Sequence, residues 1–261
     1  CILAASLTCF LVFSSCETGD LEAEVPSYFA IDEVVVAEDP SKGSNSQNIT
    51  DVWVTMDNQF IGTYELPCRF PILDIGEHEF KITPGIKLNG ISGTRAQYFF
   101  YENCDLLLDG EIVEDNKVIL KAEETVYLSG ATSYKEISKI PLNEDFESAG
   151  SFFKSIERND ESIPLLSTEM RKTTDPDMVF EGSSSGIITL TADTNYVELE
   201  SISSLLIANN IGWSILEMDY KTDIAFTVGV FIKNDIESVR LPSLTINPKD
   251  EWNKIYIHMT P

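Results

Sequence analysis

Short apolar stretches recur along the chain, and polar turn residues separate them. In residues 51–57, Val52, Val54 and Met56 alternate with their neighbours, a period of two that is typical of a strand with one buried face. Three later segments alternate in the same way: residues 213–220, 226–233 and 252–259. Strands at this spacing, divided by Gly, Pro and Asn turns, favour a β-sandwich. We therefore predict an all-β fold.

The start of the chain has a different pattern. Residues 1–16 carry no charge, and apolar side chains dominate residues 2–13. This run is shorter than the roughly 20 apolar residues of a membrane-spanning helix. Polar residues follow it at once, as they follow the apolar core of a secretory signal. The basic start of such a signal is not in the sequence, so we expect the natural precursor to extend further at its N-terminus.

Residues 13–16 (FSSC) resemble the lipobox of bacterial lipoproteins, in which small residues precede a cysteine whose sulfur takes a diacylglycerol before cleavage. The resemblance implies that residues 1–16 contain a lipoprotein signal peptide and that Cys16 is lipidated. An ordinary secretory signal with a coincidental cysteine is the alternative. Cys9 fits the pattern less well than Cys16.

Residues 17–27 are acidic and lack aromatic side chains, so we expect a flexible tether. Their position resembles that of the acidic export signals of Bacteroidota surface lipoproteins. The resemblance implies a lipid anchor in the outer membrane, with the periplasmic and cell-surface faces both open. The net charge of −25 repels phosphate backbones, which excludes nucleic acid as a partner. It also repels anionic headgroups, so the lipid, and not a basic patch, would hold the protein at the membrane.

Residues 28–140 are predicted to form the first domain. Within it, residues 54–86 resemble PEGA-type and related Ig-like envelope modules. The matching positions are Val54, Asp57, Gly62, Thr63, Leu66, Pro67, Gly76, His78 and Gly85. The resemblance implies an Ig-like or PEGA-like β-sandwich with an adhesive or scaffolding role.

Residues 141–261 are predicted to form a second domain, which begins after a turn-rich boundary at residues 138–143. Residues 143–148 (NEDFES) resemble the opening of jelly-roll domains, among them carbohydrate-binding modules. A jelly roll has about eight strands. The alternation after residue 142 indicates fewer, so we expect this domain to be incomplete in the sequence. The whole chain thus resembles Bacteroidota outer-membrane lipoproteins that combine a PEGA-like and a jelly-roll domain.

Three carboxylates at the start of the second domain suggest a structural Ca²⁺ site: Glu144, Asp145 and Glu147. Jelly-roll modules often hold such an ion near their first strand, and carboxylate oxygens are the ligands that Ca²⁺ prefers. An acidic strand edge that discourages aggregation is the alternative.

Only Cys68 and Cys104 follow Cys16 in the sequence. Export permits a disulfide between them. Two free, buried cysteines are equally compatible with the sequence.

Aromatic side chains in the alternating segments of the second domain indicate a ligand surface. Trp213, Phe231 and Tyr256 lie opposite the apolar sets of their strands, and Trp252 shares the phase of Tyr256. On an outer sheet face, such rings would suit the apolar faces of sugars. The alternative is that the other domain, a loop or a partner protein covers them.

The sequence gives no catalytic residues. Residues 182–186 (GSSSG) match a nucleophile elbow, which requires a helix after the serine. A strand pattern follows instead, and His78 and His258 are the only histidines. We therefore predict a non-catalytic cell-envelope lipoprotein that acts as a binding or structural module at the outer membrane, with an envelope protein or a glycan as its partner. A surface glycan-binding lipoprotein that uses the aromatic jelly-roll face is the alternative.

Overall fold

The computed structural model describes residues 24–156, 168–205, 213–233 and 238–259, and strands dominate it. This architecture confirms the predicted all-β sandwich fold. Within the described ranges, no helix is long and apolar enough to cross a membrane. The signal peptide, Cys16 and most of the acidic tether lie outside these residues.

Two five-stranded sheets form a β-sandwich in the first half of the chain. One sheet has the order β4-β1-β10-β7-β8, and the other has the order β3-β2-β5-β6 with β9 also paired to β5. Strand β1 runs parallel to β10 and antiparallel to β4. The strands are β1 (Ser27–Val36), β2 (Ile49–Met56), β3 (Gln59–Glu65), β4 (Cys68–Ile72), β5 (Gly76–Lys87), β6 (Arg95–Gln97), β7 (Asp105–Leu108), β8 (Glu111–Ile112), β9 (Lys117–Leu120) and β10 (Thr125–Thr132).

The core of the sandwich follows from the period of two in its strands. Val52, Val54 and Met56 all point into the core, as the alternation predicts. Phe29 of the facing sheet stacks on Phe80 with ring centroids 4.2 Å apart. Each buried side chain of this size contributes roughly 1.5–3 kcal/mol. The alternation therefore fixes which face of each strand stabilises the sandwich.

The hairpin between β2 and β3 is tied to β5 through a histidine. Asp57 and Asn58 have φ values of 48° and 65°, as a two-residue turn between twisted strands requires. His78 Nδ1 lies 2.6 Å from Asp57 Oδ2, and the N–H of Glu79 donates to Asp57 Oδ1 over 3.0 Å. These bonds lower the pKa of Asp57. His78 is buried and braces the turn.

The described residues of the second half contain eight short strands that pair two by two. The pairs are β11-β14, β12-β13, β15-β18 and β16-β17. These strands are β11 (Phe153–Ser155), β12 (Arg171–Thr173), β13 (Ser185–Ile187), β14 (Leu199–Ser201), β15 (Ile215–Thr222), β16 (Phe226–Lys233), β17 (Ser238–Ile246) and β18 (Lys249–His258). The alternation predicted fewer strands. The jelly-roll arrangement stays a prediction, as does the incompleteness of this domain.

Strand β18 belongs to two hydrophobic clusters at once. Ile255 and Ile257 pack with Tyr220 and Ile246 in the cluster of the second half. Tyr256, which points the other way, lies in the core of the first sandwich. Strand β18 thus contributes to the clusters of both halves, and the predicted domain boundary at residues 138–143 stays a prediction.

Candidate functional site

A network of buried and half-buried polar side chains lies where β15 and β18 meet the first sandwich, and we call it the junction. Strand β15 supplies Glu217 and Asp219, and β18 supplies Lys254 and Tyr256. Three tyrosines of the first half complete it: Tyr98, Tyr101 and Tyr134. The side chains of the two halves thus meet on the inner face of the β15-β18 pair.

Glu217 is the centre of the junction. Its carboxylate accepts hydrogen bonds from the hydroxyls of Tyr98 and Tyr134, the latter over 2.7 Å. Lys254 Nζ lies 2.9 Å from the same carboxylate and 3.8 Å from that of Asp219. The Lys254 side chain is only 6% exposed, so these two carboxylates, and not water, compensate its positive charge.

Backbone and amide groups of the first half hold β18 in place around this centre. The N–H of Asn48 donates to Tyr256 Oη over 3.1 Å, and its side-chain amide donates to the carbonyl of Lys254 over 2.8 Å. The N–H of Asn89 donates to the carbonyl of Tyr256 over 2.8 Å. Asn89 Oδ1 accepts from the N–H of His258 over 2.9 Å. The junction is therefore specified by hydrogen bonds as well as by packing.

Burial raises the pKa values of the four junction tyrosines. It raises the pKa values of Tyr98 and Tyr256 well above 10.0, and the charge of Glu217 acts in the same direction. The pKa values of Tyr101 and Tyr134 rise for the same two reasons. The four hydroxyls therefore stay protonated at a pH at which an exposed tyrosine would ionise, and those of Tyr98 and Tyr134 donate to Glu217.

The structure corrects the predicted ligand face at Tyr256. This side chain is 1% exposed, its ring packs against that of Tyr98, and its hydroxyl lies 3.4 Å from that of Tyr101, so it is not on an outer face. The alternation itself was predicted correctly, since Ile255 and Ile257 point to the opposite side. The first sandwich covers the Tyr256 side of β18, which was the alternative interpretation.

Trp213 lies at the surface beside the junction. It is 37% exposed and forms edge contacts with Phe99 at 5.2 Å and with His258 at 5.3 Å between ring centroids. Phe99, from the first half, is 53% exposed. Sequence reasoning missed Phe99 and the junction tyrosines, although the aromatic run at residues 98–101 was a signal that could have found them.

Phe231, the third residue of the predicted face, is half-buried on β16. The guanidinium of Arg240 lies 5.2 Å from the centre of its ring, and Arg240 also pairs with Glu198. Trp252, which the alternation placed with Tyr256, packs instead near Phe180 at 5.3 Å. The predicted surface is thus divided, and ligand binding by Trp213 and Phe231 stays a prediction.

The three carboxylates of the predicted Ca²⁺ site accept hydrogen bonds from different backbone segments. Glu144 accepts from the N–H groups of Phe146 and Phe152, and Asp145 accepts from that of Glu147. Glu147 reaches the loop at residues 182–184, where the N–H groups of two serines donate to it over 2.8 and 3.0 Å. Within the part of the chain that the structure describes, His, Cys, Asp and Glu form no metal-binding group of three or more.

Those serine contacts also explain residues 182–186. The Ser183 N–H and hydroxyl both bind Glu147, and β13 begins at Ser185. A strand therefore follows the loop, as the sequence predicted, where a nucleophile elbow would require a helix.

Cys68 and Cys104 are both free, as in the second of the two alternatives, but only Cys104 is buried and Cys68 is half-buried. Cys104, the residue directly before β7, is buried, and burial raises the pKa of its thiol to about 12. A thiol that stays protonated is a weak nucleophile, so Cys104 acts as a small core side chain.

Comparison with known proteins does not extend this description. No protein-family model matches the sequence, and neither the curated proteins nor the solved structures contain a significant match.

Proposed function

We propose that this chain is a non-catalytic lipoprotein of the bacterial cell envelope that acts as a binding or structural module at the outer membrane. Its support from the sequence is the uncharged apolar start that ends in the lipobox-like residues 13–16, followed by an acidic tether. The β-rich body would then stand on a lipid anchor at Cys16, facing either the periplasm or the cell surface.

The junction is the structural observation that supports a binding or structural module. Its ionisable groups, Glu217 and Lys254, bind each other and the surrounding tyrosines across the two halves. Such an arrangement stabilises the contact between the two halves, which suits a module that presents a surface to a partner. The same groups would need access to a substrate in order to serve as a catalytic acid and base.

Membrane fractionation tests the anchor. The natural precursor with Cys16 should sediment with membranes and resist a carbonate wash, and Cys16→Ala should be released from them. Cys9→Ala is the matched control, because it changes the other cysteine of the same apolar run and should stay membrane-bound. Release of both variants, or of neither, would contradict lipidation at Cys16.

Glycan binding through the second half is the second candidate function. The exposed Phe99–Trp213 pair beside the junction favours it, since exposed aromatic rings gain apolar contact with sugar faces. A glycan-array screen would show binding that Trp213→Ala weakens. Equal binding by both proteins would contradict a role for this surface.

A further inference from the structure

A second pair of aromatic side chains lies on the outer face of the β3-β2-β5-β6 sheet. Trp53 is half-buried there, on the side of β2 opposite to Val52 and Val54. Phe60, on β3, is 60% exposed. The two ring centroids are 5.9 Å apart and their planes differ by 36°. The neighbouring rings therefore form one tilted aromatic surface on the first sandwich.

Gly85 on β5 provides the space beneath the indole ring. It pairs with Asp51 in the ladder, next to the pair formed by Trp53 and Thr83. A Cβ at position 85 would overlap Asp51 Oδ1 and would lie 3.0 Å from Trp53 Nε1. The indole thus lies against the glycine backbone with Nε1 buried, and the exposed part of the ring is carbon.

The buried carboxylate of Asp51 lies beside the Trp53 ring. Asp51 is 0% exposed, and its Oδ2 accepts from Thr50 Oγ1 over 2.7 Å and from Arg95 Nη1 over 3.1 Å. Its Oδ1, beside the indole, has no hydrogen-bond partner. Leaving a buried carboxylate oxygen unpaired is costly. Asp51 and Gly85 therefore lie side by side next to the indole, and the Arg95 guanidinium compensates the buried charge.

Polar side chains lie on both sides of Trp53. Thr63 of β3 and Thr83 of β5 are its direct ladder partners, and Thr83 Oγ1 donates to Asn103 Oδ1 over 2.8 Å. Glu65 of β3 is already paired with both Lys87 and Arg95, and Lys81 lies exposed on the same face of β5 as Thr83. An aromatic carbon surface between hydroxyls suits a sugar ring, which presents C–H groups on its faces and hydroxyls around its edge.

We propose that Trp53, Phe60, Thr63 and Thr83, together the Trp53 platform, bind a neutral polysaccharide chain. The net charge of −25 repels anionic polymers, which selects a neutral chain over an acidic one. An extended polymer also fits a platform that follows neighbouring strands. This site is on the first sandwich and depends on neither the lipid anchor nor the Phe99–Trp213 surface.

Affinity electrophoresis of the full chain in mild detergent tests the proposal. Native gels would contain hydroxyethylcellulose, xylan or galactomannan as neutral polymers, and polygalacturonate as the anionic one. At least one neutral polymer should retard the wild-type protein, and polygalacturonate should not. Retardation by no neutral polymer, or by polygalacturonate alone, would overturn the proposal.

Three variants locate the binding. Phe60→Ala, which removes an exposed ring and should fold normally, should weaken binding about tenfold. Tyr127→Ala is the matched control, because Tyr127 is 61% exposed on the opposite sheet, and it should bind like the wild type. Trp213→Ala should also bind normally. Loss with Trp213→Ala but not with Phe60→Ala would assign the glycan to the other surface and overturn the platform.

Tryptophan fluorescence reports on ligand binding at Trp53 without replacing Trp53 itself, a substitution that could disturb folding. The chain has 3 tryptophans, so Trp213→Phe combined with Trp252→Phe leaves Trp53 as the single emitter. The polymer that retards the protein should shift this emission to the blue as it covers the ring. Unchanged emission at saturating polymer would overturn the placement of the chain on Trp53.

Discussion

Replacing Glu217 by glutamine should destabilise the whole body, because it removes the acceptor at the centre of the junction. The substitution keeps the shape of the side chain but removes its charge. Two tyrosine hydroxyls and the Lys254 ammonium would then face a group with a single oxygen acceptor and an NH₂ donor. The Lys254 charge would be left with Asp219 alone, 3.8 Å away.

The expected loss follows from the burial of the pair. Removing one partner of a buried ion pair costs about 3–5 kcal/mol. The Glu217 side chain keeps 20% exposure and Asp219 remains, so we expect the lower end, about 3 kcal/mol. For a protein of this size, that loss lowers the melting temperature by roughly 6–12 °C. Urea unfolding and thermal unfolding, both followed by circular dichroism, measure it.

Two controls separate this effect from a general effect of the substitution. Glu124→Gln breaks the exposed pair with Lys121, at 3.5 Å, and should change the free energy of unfolding by less than about 0.5 kcal/mol. Lys254→Met should restore part of the stability that Glu217→Leu removes, because the double variant no longer buries the Lys254 ammonium without its nearer carboxylate. A Glu217→Gln protein as stable as Glu124→Gln would refute the structural role of the junction.

Three further predictions concern the first sandwich and its contacts. Above about pH 10 the unfolded chain loses tyrosine protons that the folded chain keeps, so the free energy of unfolding should be constant below that pH and fall above it. Tyr98→Phe should make this fall with pH less steep by about 1.4 kcal/mol per pH unit, as measured by urea unfolding at a series of alkaline pH values. Gly85→Ala should cost about 1–3 kcal/mol in urea unfolding through overlap with Asp51, and an unchanged midpoint would contradict the close approach. Cys68 and Cys104 should both react with a thiol reagent in urea without reductant, whereas a reaction that requires reductant would indicate a disulfide.

The strands of the first sandwich could be predicted because their signal is local. Val52, Val54 and Met56 alternate within one segment, and burial of one face is enough to place them. The same alternation put Tyr256 opposite Ile255 and Ile257 correctly. A period of two tells which residues share a face but not what covers that face, so the sequence could not show that the first sandwich covers Tyr256.

The junction could not be predicted for a related reason. Glu217 meets Tyr98 and Tyr134 only through the tertiary fold, and nothing in the spacing of these residues links them. The outer-face position of Trp53 could have been predicted from the sequence, because the alternation that buries Val52 and Val54 places Trp53 on the opposite face. What the sequence lacked was the position of Gly85 beside it, which depends on the register of β2 with β5.

The mass of the mature N-terminus tests the proposed function most directly. Trypsin should release residues 16–42 as one peptide, since Lys42 is the first basic residue after Cys16. From protein extracted from membranes, we expect this peptide to start at Cys16 and to carry the added mass of a thioether-linked diacylglycerol. A peptide that spans residue 16 without a break, or that starts at an unmodified Cys16, would contradict the assignment of this protein as a lipid-anchored module of the envelope.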